Sequence, residues 1–387
     1  LTVLTSLTRI HGLWLESTGL TNLDFVPHMP SLAELSVWDN AVQALTPLAA
    51  ATNLVNLNVG ANHLTNVAAL AGCTALESLG VNLNQLTDLS FVRSLPHLWR
   101  LNASENPIAE LSPLAGLTNL TQLDIGATLA TNLAPVATLT NLTDLHASQL
   151  ALTNNLGFLA PLASLRVLGL GHNGITALPT YPSLDRLTYL NLSENPLASL
   201  ASVISRTNLS ELHINHTGLS DLSALAGHTN LNNLGLADND IADLSSLATL
   251  PHLHWISLWN NHVQDISALS SLTNLNYVDL RYNWLNTNPG SAATTINASL
   301  QARGVSVDYE PQNQVPSAVT LSAPAWLGGN EFRFTVISAP GATLEIWRST
   351  NLSSWFSIGF VTNATGTTEF TEPAAPANRS FYRALLQ

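Results

Sequence analysis

The chain has 387 residues, of which 46% are apolar and only 10% are charged. Its twelve basic residues are all arginine, and its formal net charge is −13, so it offers few cations to a phosphate backbone or an anionic membrane surface. This composition argues against a nucleic-acid partner, and the lack of any run of about 20 apolar residues argues against membrane insertion.

A repeat governs most of the chain. The first apolar residue of each unit recurs every 22 residues, with one step of 23 between Leu142 and Leu165. The thirteen units begin at Ile10, Leu32, Leu54, Leu76, Leu98, Leu120, Leu142, Leu165, Leu187, Leu209, Leu231, Leu253 and Leu275. Units of this kind cannot bury their apolar face alone, so they stack into a solenoid with one continuous core.

We number the positions of a unit from that first residue. Apolar residues recur at positions 4, 6, 11, 14 and 17, and the alternation at positions 4 to 6 predicts a short strand. Position 9 is usually Asn, which turns the chain while its amide bonds backbone groups of the stacked neighbours. We expect one parallel sheet on the concave side, and short helical turns with extended stretches on the convex side. Thr replaces the Asn at Thr18, Thr128 and Thr217, and Leu150 interrupts the pattern in the longer unit.

The first residues continue the repeat backwards. Leu1, Leu4 and Leu7 fit positions 14, 17 and 20 of an earlier unit, so we expect that upstream sequence, including any signal peptide, has been removed. An open first coil would expose Leu4, Leu7 and Ile10, which favours self-association through this edge. The single Cys73 lies at an apolar position, which predicts a buried and inert thiol.

The repeat gives way to other patterns near the C-terminus. Residues 292–303 have the composition and spacing of a capping helix that Gly304 stops, and Val305 to Tyr309 alternates like a last strand. Residues 310–316 are predicted to be a linker. Residues 317–387 are predicted to form a small antiparallel β-sandwich. Its expected strands are Phe332 to Ile337, Thr343 to Trp347, Trp355 to Val361, Thr367 to Phe370 and Phe381 to Leu386.

The pattern of residues 1–309 resembles the 22-residue leucine-rich-repeat class of the internalins and of the phosphatase-regulating leucine-rich-repeat proteins. Segments such as Leu222 to Gly227 and Asp88 to Ser90 are typical of that class. The stretches Arg348 to Trp355 and Arg379 to Arg383 look like a β-module of secreted environmental bacterial proteins, and internalins also carry an immunoglobulin-like module after the solenoid. The resemblance implies an α/β solenoid followed by a small all-β domain, but it does not identify a ligand.

Function on a solenoid is expected in columns of outward-facing side chains, here positions 3, 5, 7 and 8. Large aromatic residues on such exposed columns indicate a binding surface or a covered one. The larger candidate group is Trp255, Trp259, Tyr277, Arg281, Tyr282 and Trp284, and the smaller is Trp14 and Trp38. We expect a cation–π contact between Arg281 and Trp259. The alternative is that the larger group packs against the β-domain or the end of the solenoid.

Three other features of the outward columns bear on function. Glycines such as Gly60, Gly169 and Gly235 leave a strip that admits a close partner or is only a relaxed surface. His172, Glu194, His216 and Asp238 succeed one another at position 8, where they are candidates for a zinc site or form a solvated row of charges. Asp124, Asp144 and His146 suggest a dyad, but no nucleophile or enclosing pocket accompanies them.

The sequence therefore predicts a secreted or cell-surface recognition protein without a cofactor or catalytic activity. It would bind a protein or a polysaccharide through the concave face, mainly between Trp255 and Trp284. The alternative is a structural surface-layer or spacer protein whose β-domain makes the contact. A third interpretation is a hydrolase separated from an upstream catalytic part.

Overall fold

The computed structural model describes residues 4–6, 8–203, 205–313, 319–328, 331–338, 342–363, 367–373 and 380–386. The chain divides into two compact units, Leu1–Gln312 and Asn313–Gln387. The predicted linker and the predicted start of the last domain fall partly on residues 314–318, outside the described residues, so the predicted boundaries stay a prediction.

The first unit is built on a single parallel sheet of fourteen strands, each paired with the next one along the chain. The strands are β1 Gly12–Trp14, β2 Glu34–Ser36, β3 Asn56–Asn58, β4 Ser78–Gly80, β5 Arg100–Asn102, β6 Gln122–Asp124, β7 Asp144–His146, β8 Val167–Gly169, β9 Tyr189–Asn191, β10 Glu211–His213, β11 Asn233–Gly235, β12 Trp255–Ser257, β13 Tyr277–Asp279 and β14 Ser306–Asp308.

The strands cover positions 3 to 5 of each unit, one residue earlier than the predicted 4 to 6. Position 4 lies in register from coil to coil, as Leu13 opposite Leu35, and it faces the core. Position 6 is also buried, and its N–H still bonds the next coil, as Val37 N donates to Asn58 O over 2.9 Å. Positions 3 and 5 point away from the core because alternate strand residues face opposite sides of a sheet.

The asparagines of position 9 form the predicted ladder. Asn62 is 5% exposed, and its Nδ2 donates to the carbonyl of Val37 in the preceding coil and to those of Val59 and Gly60 in its own. Its Oδ1 accepts the N–H of Val42 over 2.9 Å. Each amide therefore ties two coils together, and it satisfies backbone groups that would otherwise be buried without partners.

The residue before this asparagine adopts an unexpected conformation. Position 8 has a positive φ of 51° to 58° in all thirteen coils, and none of these residues is glycine. The longer coil absorbs its extra residue in the same way, since Gln149 and Ala151 both have positive φ, and the parallel register from β7 to β8 continues unbroken. The turn after each strand is thus a tight left-handed bend, and in nine of the thirteen coils an asparagine follows it.

The convex side carries short 3₁₀ helices, as expected. Within the described residues these are Leu4–Ser6, Val26–His28, Thr46–Leu48, Ala68–Gly72, Ser90–Ser94, Ser112–Leu114, Val136–Thr138, Gly157–Leu159, Pro182–Leu184, Ala201–Val203, Ser223–Leu225, Ser245–Thr249 and Ser267–Ser271. One apolar cluster runs from Leu20 to Val305 without a break, so the coils share a single core. Cys73 is fully buried in it, where burial raises the pKa of the thiol to about 11, as an inert cysteine requires.

The C-terminal end of the solenoid is closed by the predicted helix, α1 Ala292–Ala302. Ser291 caps it by accepting the N–H of Thr294, and Gly304 leaves it at a φ of 87°. At the other end Leu4 and Ile10 are only partly buried against the core, while Leu7 lies outside the described residues. Self-association through this edge stays a prediction.

The second unit contains two antiparallel sheets of three strands each, ordered β15-β16-β19 and β18-β17-β20. Their strands are β15 Thr320–Gly328, β16 Glu331–Ile337, β17 Ala342–Ser349, β18 Phe356–Asn363, β19 Thr367–Glu372 and β20 Phe381–Leu386. Phe334, Val336, Leu344 and Ile346 form its buried core. Sequence reasoning missed β15, an edge strand that tolerates Pro324 and an irregular pairing register. No helix among the described residues is long and apolar enough to cross a membrane.

Candidate functional site

A row of rings crosses the concave face near its C-terminal end. Tyr189 on β9 lies 5.5 Å from His213 on β10, and His213 lies 6.5 Å from Trp255 on β12. Trp255 and Tyr277 on β13 stack with ring planes 13° apart and centroids 5.8 Å apart. We call these four residues the aromatic row. Sequence reasoning singled out only the two C-terminal members, because Tyr189 and His213 stand at positions 3 and 5 of different coils and are far apart in the chain.

Gly235 makes the row continuous. This residue lies on β11 between His213 and Trp255, and a Cβ placed on it would stand 2.8 Å from His213 Nδ1. The imidazole therefore lies across the glycine and bridges the strand that carries no ring. A side chain at this position would displace the imidazole, so the lack of a side chain at Gly235 allows His213 to adopt this orientation.

Two further ring pairs lie just beyond the strands. Trp259 contacts Tyr282 edge-on at 5.5 Å, and Trp284 stacks on His262 at 4.3 Å. None of these rings belongs to the solenoid core, and Tyr282 remains 39% exposed. The five aromatic residues predicted at this end fall into three ring contacts, Trp255 with Tyr277, Trp259 with Tyr282, and Trp284 with His262.

Arg281 does not fulfil its predicted role. Its guanidinium forms two hydrogen bonds with Asp279, at 3.0 Å from Nε and 2.6 Å from Nη2, and it is not over the Trp259 ring. Asp279 is 5% exposed and lies two residues earlier on β13, so the local bidentate pair prevails over a cation–π contact. The same carboxylate raises the pKa of Arg281 above its ordinary value.

A hydrogen bond fixes Tyr277 at the end of the row. Its hydroxyl donates to Asp308 Oδ2 over 2.7 Å, from β13 to β14. Burial and this bond together raise the pKa of Tyr277 to about 12. Arg281 Nη2 lies 3.8 Å from the same carboxylate. Tyr277, Asp308 and Arg281 therefore form a polar group at the end of the aromatic row.

The smaller predicted pair, Trp14 and Trp38, lies at the N-terminal end. Trp14 is 63% exposed, and the outer edge of its ring reaches over Gly12. It borders a hollow of about 310 Å³ that includes Asn58, Asn82 and Arg100. Trp14 and Trp38 therefore do not join the aromatic row. The N-terminal end of the concave face combines these rings with polar side chains, whereas the C-terminal end carries a row of contacting rings.

The glycines of the outward columns do not form a bare strip. A Cβ on Gly169 would stand 2.6 Å from His146 Nδ1, and one on Gly60 would stand 2.6 Å from Asn82 Oδ1. Neighbouring side chains lie across these glycines, as His213 lies across Gly235. Of the two interpretations of the strip, close access for a partner's backbone is therefore the less favoured at these positions.

The position 8 side chains make separate contacts along their column. His172 Nδ1 contacts Glu194 Oε2 at 2.5 Å, while Asp238 accepts a 2.7 Å hydrogen bond from Asn260. His216 joins neither pair. Across the described part of the chain, no three His, Cys, Asp or Glu side chains converge as metal ligands would. Asp124 and His146 are likewise engaged elsewhere, the first with the N–H of Gly126 and the second across Gly169.

Solved structures of bacterial leucine-rich-repeat proteins share this fold. An internalin of Listeria monocytogenes strain 4b F2365 aligns with 75% of this chain and 84% of its own, at 26% identity and a TM-score of 0.65. The functional domain of InlJ from the same species, which includes a cysteine ladder, aligns over 87% of this chain and 88% of its own at 20% identity and a TM-score of 0.56. A leucine-rich-repeat protein of Leptospira interrogans aligns over 80% and 98% at 20% identity and a TM-score of 0.51.

No protein-family model and no curated protein matches the sequence. The fold is nevertheless that of a leucine-rich-repeat solenoid with a concave parallel sheet and a convex side of short 3₁₀ helices, followed by a small β-domain. The solved structures that resemble it are internalins and other leucine-rich-repeat proteins.

Proposed function

We propose that the chain is an extracellular recognition protein, secreted or displayed on the cell surface in the manner of the internalins, and that it binds a protein or a polysaccharide through its concave face. The aromatic row is the observation that supports this proposal most strongly. Four rings lie on the outward face of a sheet, outside the solenoid core, and they are held in place by stacking, by a glycine and by the Tyr277 hydroxyl.

The energy of such a surface is sufficient for specific binding. Burying one Trp or Tyr ring contributes about 1.5–3 kcal/mol of hydrophobic free energy. Summed over the aromatic row and the neighbouring rings, this free energy offsets the cost of ordering the two partners on association. Because the rings already contact one another, little side-chain entropy remains to be lost when a partner arrives. Aromatic residues and arginine are also the residues that most often dominate binding energy.

The proposal assigns no chemical step to this face. Asp124, Asp144 and His146 are the candidates for acid–base work, and Asp144 accepts a 2.5 Å hydrogen bond from Thr143 within its own strand region. A binding role that needs no cofactor fits these residues better than catalysis.

A second candidate rests on the β-domain. Phe356 and Phe360 on β18 are each 61% exposed, which is unusual for large apolar side chains. Under this alternative the solenoid is a spacer, and an immunoglobulin-like or fibronectin-like module makes the adhesive contact.

The test is a binding screen with the full chain against immobilised extracellular proteins and polysaccharides. Wild type is compared with Trp255→Ala, which alters the row, and with Phe360→Ala, which alters the β-domain. Loss of binding in the first variant alone supports the concave face. Loss in the second alone supports the spacer alternative and overturns the proposal.

A further inference from the structure

A carboxylate lies within the aromatic row and has no hydrogen-bond partner among the described residues. Glu211 is on β10, where it pairs in register with Tyr189 on one side and Asn233 on the other. Its side chain is 38% exposed, and His213 Nε2 is 3.8 Å from Oε2. That separation is too long for a hydrogen bond, so the lone pairs of the carboxylate remain available.

Aromatic residues lie on both sides of Glu211 along the sheet. Tyr189 lies on the adjacent strand, His213 follows Glu211 by two residues and leans across Gly235, and Trp255 lies beyond it. The proximity of Glu211 contributes to the raised pKa of Tyr189, whose main cause is burial. Glu211 is thus a negative charge in partly apolar surroundings, where an ion pair is screened less than in open water.

Among the described residues, the basic group that faces Glu211 is the imidazole of His213, at a distance too long for a hydrogen bond. Arg281, two residues beyond β13, is already held by Asp279 in a bidentate pair. Asp308 adds a second carboxylate at the end of the row. The chain has no lysine and a net charge of −13, so both the local and the overall field attract a positive group.

From this arrangement we infer that Glu211, with the rings of Tyr189, His213 and Trp255, receives an arginine or lysine side chain of a partner protein. The carboxylate supplies the ion pair, and the rings supply cation–π and apolar contact to the head group and its stem. The inference rests on the proposed binding role of the concave face and narrows the ligand to a protein with an exposed basic residue.

The matched control is another glutamate of the same column. Glu34 occupies position 3 of its coil on β2, so Glu34→Gln and Glu211→Gln change the net charge equally on the same face of the sheet. The probe is a fluorescent peptide of alternating arginine and glycine, and its neutral counterpart carries citrulline in place of arginine. Binding to the full chain is measured by fluorescence anisotropy at physiological ionic strength.

We expect Glu211→Gln to weaken the arginine peptide about tenfold, while Glu34→Gln stays within about twofold of wild type. Tyr189→Leu should weaken it as well, and Tyr189→Phe should retain the affinity because the ring face is kept. Equal losses in both glutamate variants would show unspecific attraction to an acidic protein and overturn the inference. Equal binding of the citrulline peptide would also overturn it.

The outcome is separable from that of the proposed function. If a ligand from the screen is lost in Trp255→Ala but not in Glu211→Gln, the concave face binds and the basic-residue assignment is wrong. A polysaccharide ligand that the arginine peptide does not displace would overturn the assignment in the same way. If the ligand is lost in both variants and displaced by the peptide, the inference is supported.

Discussion

The hydroxyl of Tyr277 donates a 2.7 Å hydrogen bond to Asp308 and thereby joins the last full coil to the strand that follows the capping helix. The pKa of this phenol is raised to about 12, first by burial and then by the bond to the acid. The phenol proton of Tyr277, which links β13 to β14, therefore dissociates only at high pH.

The first prediction concerns this proton. Because the folded pKa lies above the ordinary value of about 10, the unfolded chain releases the proton first as the pH rises. The stabilisation is fully present below about pH 10 and is lost as the pH approaches 12. Ultraviolet titration should show a late-ionising tyrosine that Tyr277→Phe removes. Tyr382, also raised to about 12 by burial and by Glu372, is the control and should remain in that variant. An unchanged late phase in Tyr277→Phe and its loss in Tyr382→Phe would contradict this assignment.

The second prediction concerns the Trp259–Tyr282 contact. Trp259→Ala and Tyr282→Ala should each weaken ligand binding by more than tenfold, because each removes about 1.5–3 kcal/mol of ring burial. Thermal stability should change little, since neither ring lies in the solenoid core. The rings touch edge-on at 5.5 Å, so the double variant should lose less than the sum of the single losses. Binding and melting of the four proteins test this, and a drop in melting temperature with unchanged binding would indicate a packing role.

The third prediction concerns the asparagine ladder. Asn106 is 2% exposed, donates to the carbonyls of Val81, Ala103 and Ser104, and accepts the N–H of Leu86. Asn106→Ala should lower the free energy of unfolding by about 2–4 kcal/mol, because it leaves several buried backbone groups without partners.

Two variants control for this effect in denaturant titrations. Asn82→Ala removes the same amide from a half-buried position with no side-chain hydrogen bond among the described residues, and its effect should be within about 0.5 kcal/mol. Asn106→Thr should fall between, since Thr128 at the same position of the next coil still donates to Ile125 O. Equal stability of Asn106→Ala and Asn82→Ala would contradict a structural role for the ladder.

The fourth prediction concerns the position 8 column. His172 and Glu194 contact each other at 2.5 Å, and His216 is not part of that pair. Calorimetric titration with zinc should therefore give no binding at micromolar metal, in wild type and in His216→Ala alike. Micromolar binding in wild type that His216→Ala abolishes would show that the side chains rearrange around a metal ion.

The sequence predicted the parts of the fold that local rules determine. The coil register, the asparagine ladder and the capping helix after Ser291 each depend on residue types at fixed spacing, and the structure has all three. The left-handed bend at position 8 was not predictable in this way, because the residues found there range from Ala61 to Tyr282 and none of them is glycine. The bend follows from the stacking of coils and not from the residue that adopts it.

The candidate site was predicted only in part, for a related physical reason. Trp255 and Tyr277 share one column and could be paired by register. His213 joins them by leaning across Gly235, which depends on the direction of a side chain and on an empty position in another coil. Arg281 was assigned to Trp259, but Asp279 lies closer in the chain and offers two oxygen atoms at once.

The left-handed bend at position 8 has a consequence for how the length of the protein can change. Each coil contains at least one non-glycine residue in a conformation that costs about 1 kcal/mol, and each coil also brings its own strand and, in nine of the thirteen coils, a ladder asparagine. The strained backbone conformation and the hydrogen bonds that offset its free-energy cost therefore lie in the same coil. A deletion of one complete coil, from the start of one strand to the start of the next, removes both and lets the flanking coils meet as native neighbours. A deletion of a few residues leaves a left-handed bend without the hydrogen bonds that stabilise it. We therefore expect the protein to change in length by complete coils.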